Sequence, residues 1–213
     1  ETRASSLSKS VARLMAKIGA DKCHLVAHSF TGIDARAAIS LFDSDKQVSS
    51  LTTICTPHQG MTLIDKANDK QWLGTTEGLE RVFEVLGISN SAVQEFTTHN
   101  IQAFNEVCHD SQSVSYYSIG AKKSGRTMNA MLRDGHDIIV NDTMGVQCDG
   151  LVQDIEARWG EYLLTFENDH LEVMGFCPEH NPANVMNVVS DNTRLSEIRS
   201  DPKLRYDFGV DHL

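Results

Sequence analysis

Ser29 closes a short apolar run, Cys23-His24-Leu25-Val26-Ala27-His28-Ser29-Phe30-Thr31-Gly32, and a helix-like stretch from Ile33 to Leu41 follows at once. A strand that turns sharply into a helix holds a serine hydroxyl clear of its sheet, the arrangement of a nucleophile elbow. The usual Gly-x-Ser-x-Gly pattern is displaced here. Ala27 takes the first glycine position, Thr31 the second, and Gly32 comes one place late. A branched residue at a close helix–strand approach predicts a widened elbow or a shifted helix. Two more side chains supply a base and an acid. Asp149, in Gln147-Cys148-Asp149-Gly150-Leu151-Val152, and His170, in Asn168-Asp169-His170-Leu171-Glu172-Val173, both sit where an apolar run meets turn-forming residues. In acyl transfer the imidazole takes the serine proton and the carboxylate orients the imidazole. With nine histidines and 29 acids in the chain, the order Ser, Asp, His carries little by itself. Local context carries the assignment.

The neighbours of these residues read differently. His28 beside the serine is expected to be structural, and His58 to hydrogen-bond within its own loop. Asp169 competes with Asp149 as the acid, but as the immediate neighbour of His170 it is poorly placed to reach that ring. The N–H of Phe30, directly after the nucleophile, is the expected oxyanion donor.

The elements that must position this set alternate between strand and helix. Apolar spacing predicts a helix over Ser5 to Ile18, with Leu7, Val11, Leu14, Met15 and Ile18 on one stripe and Gly19 ending it. Strands are expected over Cys23 to Val26, Ser49 to Cys55, Ser113 to Ile119 and Tyr162 to Phe166, and helices over Ile33 to Leu41, 90–107 and Asn184 to Ile198. That alternation implies a parallel α/β sheet flanked by helices. The stretch from Met61 to Ile88 breaks the rhythm with Trp72, a Gly74-Thr75-Thr76 turn and the amphipathic run Leu79 to Leu86. It is read as a lid-like or acyl-pocket insertion, extending at most over 61–110, with an ordinary covering helix as the alternative. Lys122 to Met144 is polar and is expected to form a loop with a short helical turn. The tail from Ser200 looks peripheral. The chain, 1–213, reads as a single α/β domain.

Composition narrows the function classes. A net charge of −10 speaks against a nucleic-acid partner and against attraction to anionic head groups by charge alone. No apolar stretch is long enough to cross a bilayer. The cysteines Cys23, Cys55, Cys108, Cys148 and Cys177 are odd in number and lack zinc spacing, which favours a reducing, intracellular compartment; a Cys148–Cys177 bridge between the acid and histidine loops is the alternative. The first residue is Glu1, so the sequence carries no information on a targeting segment.

Several motifs in order resemble the triacylglycerol lipases of the α/β-hydrolase fold, both the bacterial true lipases and their eukaryotic mitochondrial relatives. They are Ile18-Gly19-Ala20-Asp21-Lys22 before the elbow, Leu51 through Thr56-Pro57-His58-Gln59-Gly60, Phe96-Thr97-Thr98 through Asn105, Val114 through Ser118, Asp149-Gly150-Leu151-Val152 and His170-Leu171-Glu172. The resemblance spans about residues 5 to 190 and implies a serine ester hydrolase acting on a lipid ester such as an acylglycerol, through Ser29, Asp149 and His170. It implies a mitochondrial setting only by kinship. It places a carboxylate calcium ligand two residues after the histidine, where Glu172 stands, with a solvent-facing Glu172 as the alternative and no other cofactor. It also places a second oxyanion donor on a loop after an earlier strand, usually a His-Gly pair. No such segment precedes Ser29 in this sequence, so only the carboxyl-terminal portion of the family is matched and the amino-terminal strands are absent. Either a preceding segment or a partner chain is then expected along the edge of the nucleophile strand. The same features allow a second reading, a non-catalytic lipase-like subunit of a larger assembly, and an acyltransferase would use the same three residues.

Overall fold

A computed structural model describes residues 2–69, 77–141, 145–175 and 183–200. Trp72, the Gly74-Thr75-Thr76 turn, Cys177 and the tail beyond Ser200 lie outside the described residues. Four parallel strands, β1 (Cys23–His28), β2 (Val48–Ile54), β3 (Ser115–Ala121) and β4 (Glu161–Phe166), form one sheet in the order β1-β2-β3-β4. Leu25 lies opposite Leu51 and Leu51 opposite Tyr116, so one row of side chains crosses three strands. Alternate residues face opposite sides. Leu51 and Tyr116 pack with Ala35 and Ile39 on one face, and Ile54 and Ile119 with Val189 on the other.

Helix α1 (Arg3–Ile18) starts where the Thr2 side chain accepts the Ser5 N–H, and ends at Gly19, whose φ of 68° an L side chain rarely adopts. It packs on α2 (Thr31–Leu41), whose Ala37 and Ala38 meet Ala4 of α1 while Ala35 packs on the sheet. On the other face lies α8 (Ala183–Ser200). Between β2 and β3 the chain forms α3 (Thr62–Asp69), α4 (Glu77–Val85), α5 (Asn90–Val93) and α6 (Thr98–Val107). The single helical region expected over 90–107 is broken, because the Thr97 hydroxyl caps a new helix by accepting the Asn100 N–H.

The polar stretch 122–144 departs from expectation. It contains a full helix, α7 (Arg133–Val140), and not merely a helical turn. Gly135, Ile138 and Ile139 are buried there, packed with residues of α3 and α4. Tertiary packing therefore holds a helix whose own sequence, with Gly135 and two Asp residues, is a poor helix former.

Among the described residues β1 pairs with β2 alone and its outer edge is open, with Val26 exposed. No helix among them is long and apolar enough to cross a membrane.

Candidate active site

Ser29 sits at φ 56°, a left-handed conformation that costs a non-glycine residue on the order of 1 kcal/mol and persists only where its surroundings enforce it. Here they do. The Ser29 N–H donates to the Ile54 carbonyl at 2.9 Å, and the Thr56 hydroxyl donates to the Ser29 carbonyl at 2.7 Å. Both backbone groups of the turn are thus bonded to the end of β2. Helix α2 begins at once, and Phe30 has no side-chain cap. The Phe30 N–H makes no hydrogen bond among the described residues and lies at a helix start, where anions are favoured.

The displaced glycine now has a reason. A Cβ at Gly32 would lie 2.2 Å from Thr56 Oγ1, so the close approach of helix to strand falls at Gly32. Thr31 is exposed, and its hydroxyl donates to the His28 carbonyl at 2.7 Å. The widened elbow expected from a branched residue at 31 therefore does not arise. Gly60 answers a similar demand. At φ 87° it faces the Thr98 backbone, where an added Cβ would come within 2.4 Å of Cα.

The structure brings Ser29, Asp149 and His170 together. His170 Nε2 lies 2.8 Å from Ser29 Oγ, and His170 Nδ1 lies 2.7 Å from Asp149 Oδ2. All three are buried. The neighbouring carboxylate assigns the proton to Nδ1, which leaves Nε2 to accept from the serine hydroxyl. Asp149 Oδ1 accepts the N–H groups of Leu151 and Val152 at 2.9 and 2.8 Å. Burial pushes the Asp149 carboxyl up, but the His170 imidazole and those two N–H bonds outweigh it and leave it below its usual range. The His170 N–H donates to the Asp149 carbonyl at 2.9 Å, which ties the two loops together.

The surrounding acids build loops. Asp169 Oδ1 accepts the Leu171 and Glu172 N–H groups, and its Oδ2 accepts that of Asn129 at 2.9 Å, so this carboxylate is committed to backbone. Glu172 is buried, against the solvent-facing alternative. One of its oxygens pairs with Lys123 and the other accepts the Asp169 N–H at 3.0 Å. An ammonium already stands where a calcium ion would have to be held, so this carboxylate does not fit a calcium ligand. Cys148 carries a free thiol.

The histidines expected to be structural have buried ring atoms. The His28 ring lies 4.6 Å from that of His170, tilted by 46°, and its Nε2 has no partner among the described residues. Burial, aided by the charge His170 can carry, lowers its pKa to about 3, so it stays neutral beside a charging imidazole. His58 bonds Thr53 Oγ1 at 2.8 Å, and burial followed by the nearby Arg36 holds it well below the usual histidine range.

Ser29 opens on a cavity of about 580 Å³ whose wall includes Phe30, Leu86, Ile88, Ala92, Phe96 and Met174. Leu86 and Ile88 come from the segment that broke the strand–helix rhythm, and Ala92 from α5 just after it. The apolar wall and the free Phe30 N–H both adjoin Ser29. This arrangement suits an ester with an apolar acyl group.

No family model matches the chain. Triacylglycerol lipase 2 of Saccharomyces cerevisiae is 31% identical over 172 residues, which cover 80% of this chain and 51% of that protein. The chain thus spans about half the length of the curated relative it matches. Among solved structures, the mature lipase BlEst2 of Bacillus licheniformis superposes with a TM-score of 0.62 at 23% identity, covering 79% of this chain and 66% of that one. The metagenomic carboxyl esterase MGS0156 does so with a TM-score of 0.63 at 21% identity, covering 80% and 50%.

Proposed function

We propose that this chain, which belongs to a lipase family of the α/β-hydrolase fold, carries the catalytic residues of a serine ester hydrolase acting on acylglycerols or related lipid esters. One observation carries the reading. A serine strained into the left-handed region lies 2.8 Å from an imidazole that a buried carboxylate orients, beside an apolar cavity. His170 Nε2 takes the Ser29 proton as Oγ attacks the ester carbonyl. The Phe30 N–H stabilises the resulting oxyanion, a contribution of roughly 3 kcal/mol for one such donor. His170 then protonates the leaving alkoxide, and the acyl group remains on Ser29. Water activated by the same imidazole releases the fatty acid. Asp149 stays ionised throughout and stabilises the imidazolium. No metal is assigned a step, and the Glu172 carboxylate pairs with Lys123.

The 77–96 segment acts as the acyl-chain wall in this reading, which gives the insertion a substrate-binding role. The non-catalytic reading rested on the missing half-sheet, on the first residue and on Ala27 and Thr31 in the elbow. The hydroxyl bond of Thr31 and the close approach at Gly32 answer the objection at Thr31.

A fluorophosphonate probe tests the proposal. It should label Ser29 in the full-length protein, and Ser29→Ala should abolish labelling while leaving the circular dichroism spectrum unchanged. Emulsified triacylglycerol and soluble short-chain esters then separate a lipase from an esterase. Absence of labelling in the intact protein sinks the reading.

A further inference from the structure

Among the described residues only three outside glycine adopt positive φ: Ser29, Asp43 and Cys55. Asp43 belongs to a surface turn that precedes the short 3₁₀ segment Ser44–Lys46. The other two end adjacent parallel strands and meet in one cluster. Cys55, at φ 50° and wholly buried, has its Sγ within 4.8 Å of ligand atoms on both Asp149 and His170. Strain of this kind persists at positions where a side chain must be aimed. The Cys55 N–H donates to the Ile119 carbonyl at 2.8 Å, so the backbone is fixed between β2 and β3 while the thiol turns toward the acid.

The acceptor capacity of Asp149 gives the thiol its task. A carboxylate has about four lone-pair sites. Two on Oδ1 are taken by the Leu151 and Val152 N–H groups, and one on Oδ2 by His170 Nδ1–H. One site on Oδ2 remains, and the nearby thiol is the group able to donate to it. We infer that Cys55 is a positioning residue of the relay, its S–H donating the fourth hydrogen bond to Asp149 and fixing the carboxylate plane that orients His170. Burial, followed by the Asp149 charge, raises the Cys55 thiol well above its usual range, so it remains a donor through neutral and alkaline pH. The inference deepens the hydrolase reading and rests on it for its kinetic consequence only.

The bond itself is tested without turnover. A Raman difference spectrum of the full chain against Cys55→Ser isolates the Cys55 S–H stretch. The stretch should lie at the lowered frequency of a bonded thiol and rise in Asp149→Asn. A stretch that Asp149→Asn leaves unmoved overturns the inference, whatever the outcome of the Ser29 labelling. Kinetics test the role. Cys55→Ala should lower kcat about two- to tenfold, the worth of one hydrogen bond, with KM unchanged. With its donor gone, the Asp149 charge stabilises the imidazolium more, so the acid limb of kcat/KM should move up by a few tenths of a pH unit. Cys55→Ser restores a donor and should return the limb toward wild type. A merely packing role predicts the opposite ranking, because a buried hydroxyl suits an apolar core worse than a methyl does. Identical acid limbs in the three proteins overturn the inference.

Discussion

The relay and the cavity wall both meet at Ser29 and are built by different physics. The relay end of the sheet is fixed by directional bonds. Ser29 and Cys55 hold positive φ, both Asp149 oxygens accept hydrogen bonds, and the acid and histidine loops share a backbone bond. The wall is fixed mainly by apolar contact, with only local turn and cap hydrogen bonds. Phe83 and Phe96 pack with ring centroids 6.3 and 4.2 Å from that of Phe30, and short helices supply the rest. One region should therefore fail sharply when a single polar atom changes. The other should change shape gradually.

The largest test of that contrast is Asp149→Asn. The substituted amide keeps an oxygen for the Leu151 and Val152 N–H groups, so the loop and the fold should survive. Its NH₂ then faces His170 Nδ1 and forces the proton to Nε2, the wrong tautomer for receiving the serine proton. A loss of about 10⁴-fold in kcat is expected, with the melting temperature changed little. A loss under tenfold would mean that the carboxylate does not orient the imidazole.

Acid stability reports on the buried histidines instead. His28 and His58 both titrate near 6.5 when unfolded, but His28 falls to about 3 in the fold and His58 well below its usual value. Above pH 6.5 neither state is charged and neither histidine affects stability. As pH falls below 6.5 the unfolded chain takes up protons that the fold refuses. Stability should then drop by about 1.4 kcal/mol per pH unit for each histidine. Glu156, whose carboxyl burial raises, acts in the opposite sense because the folded state takes its proton first. Urea titrations at pH 7 and pH 5 on the wild type and on His28→Gln isolate the effect. An unchanged slope in that variant would count against a neutral His28.

At the elbow the sequence pattern and the physics point to different residues, so two substitutions should differ in cost. Gly32→Ala drives a methyl against Thr56 and should cost about 1–3 kcal/mol. Much of that should return in a Thr56→Ala background, which makes the pair non-additive. Thr31→Val loses one exposed hydroxyl bond and should cost about 1 kcal/mol or less. Equal costs measured by urea denaturation would mean that the approach is not confined to Gly32.

What the sequence made legible follows the same division. The parallel strands and the three relay residues announced themselves because each lies where an apolar run meets a turn, a local signal. Helix α7 did not, since its polar sequence is held by Ile138 and Ile139 packing against distant segments. The commitment of Glu172 to Lys123 joins residues 49 apart and has no local signature. Cys55 looked like any small buried strand residue. Only its backbone angle and its distance from Asp149 set it apart, and neither is written in spacing. Gly32 seemed one place late only because the pattern was read from the serine. Read from Thr56, it is where the close approach requires a glycine.

The wall supplies the mildest and most graded test. Ile88 is half-buried, lines the cavity, and lies between the Gly87 turn and the Ser89 cap of α5, so its side chain can enlarge without displacing the relay. An indole at this position should shorten the space open to an acyl chain. Each methylene excluded from an apolar pocket changes specificity by about 1–3 kcal/mol at most. Ile88→Trp should therefore shift the ratio of kcat/KM for short over long p-nitrophenyl esters by about tenfold, with kcat on the shortest ester within twofold of wild type. A uniform loss across chain lengths would show that wall and relay are mechanically coupled. An unaltered preference would place the acyl chain elsewhere, and the adjoining cavity of about 500 Å³ lined by Ile33, Ala37, Ile101 and Phe104 then becomes the next site to fill.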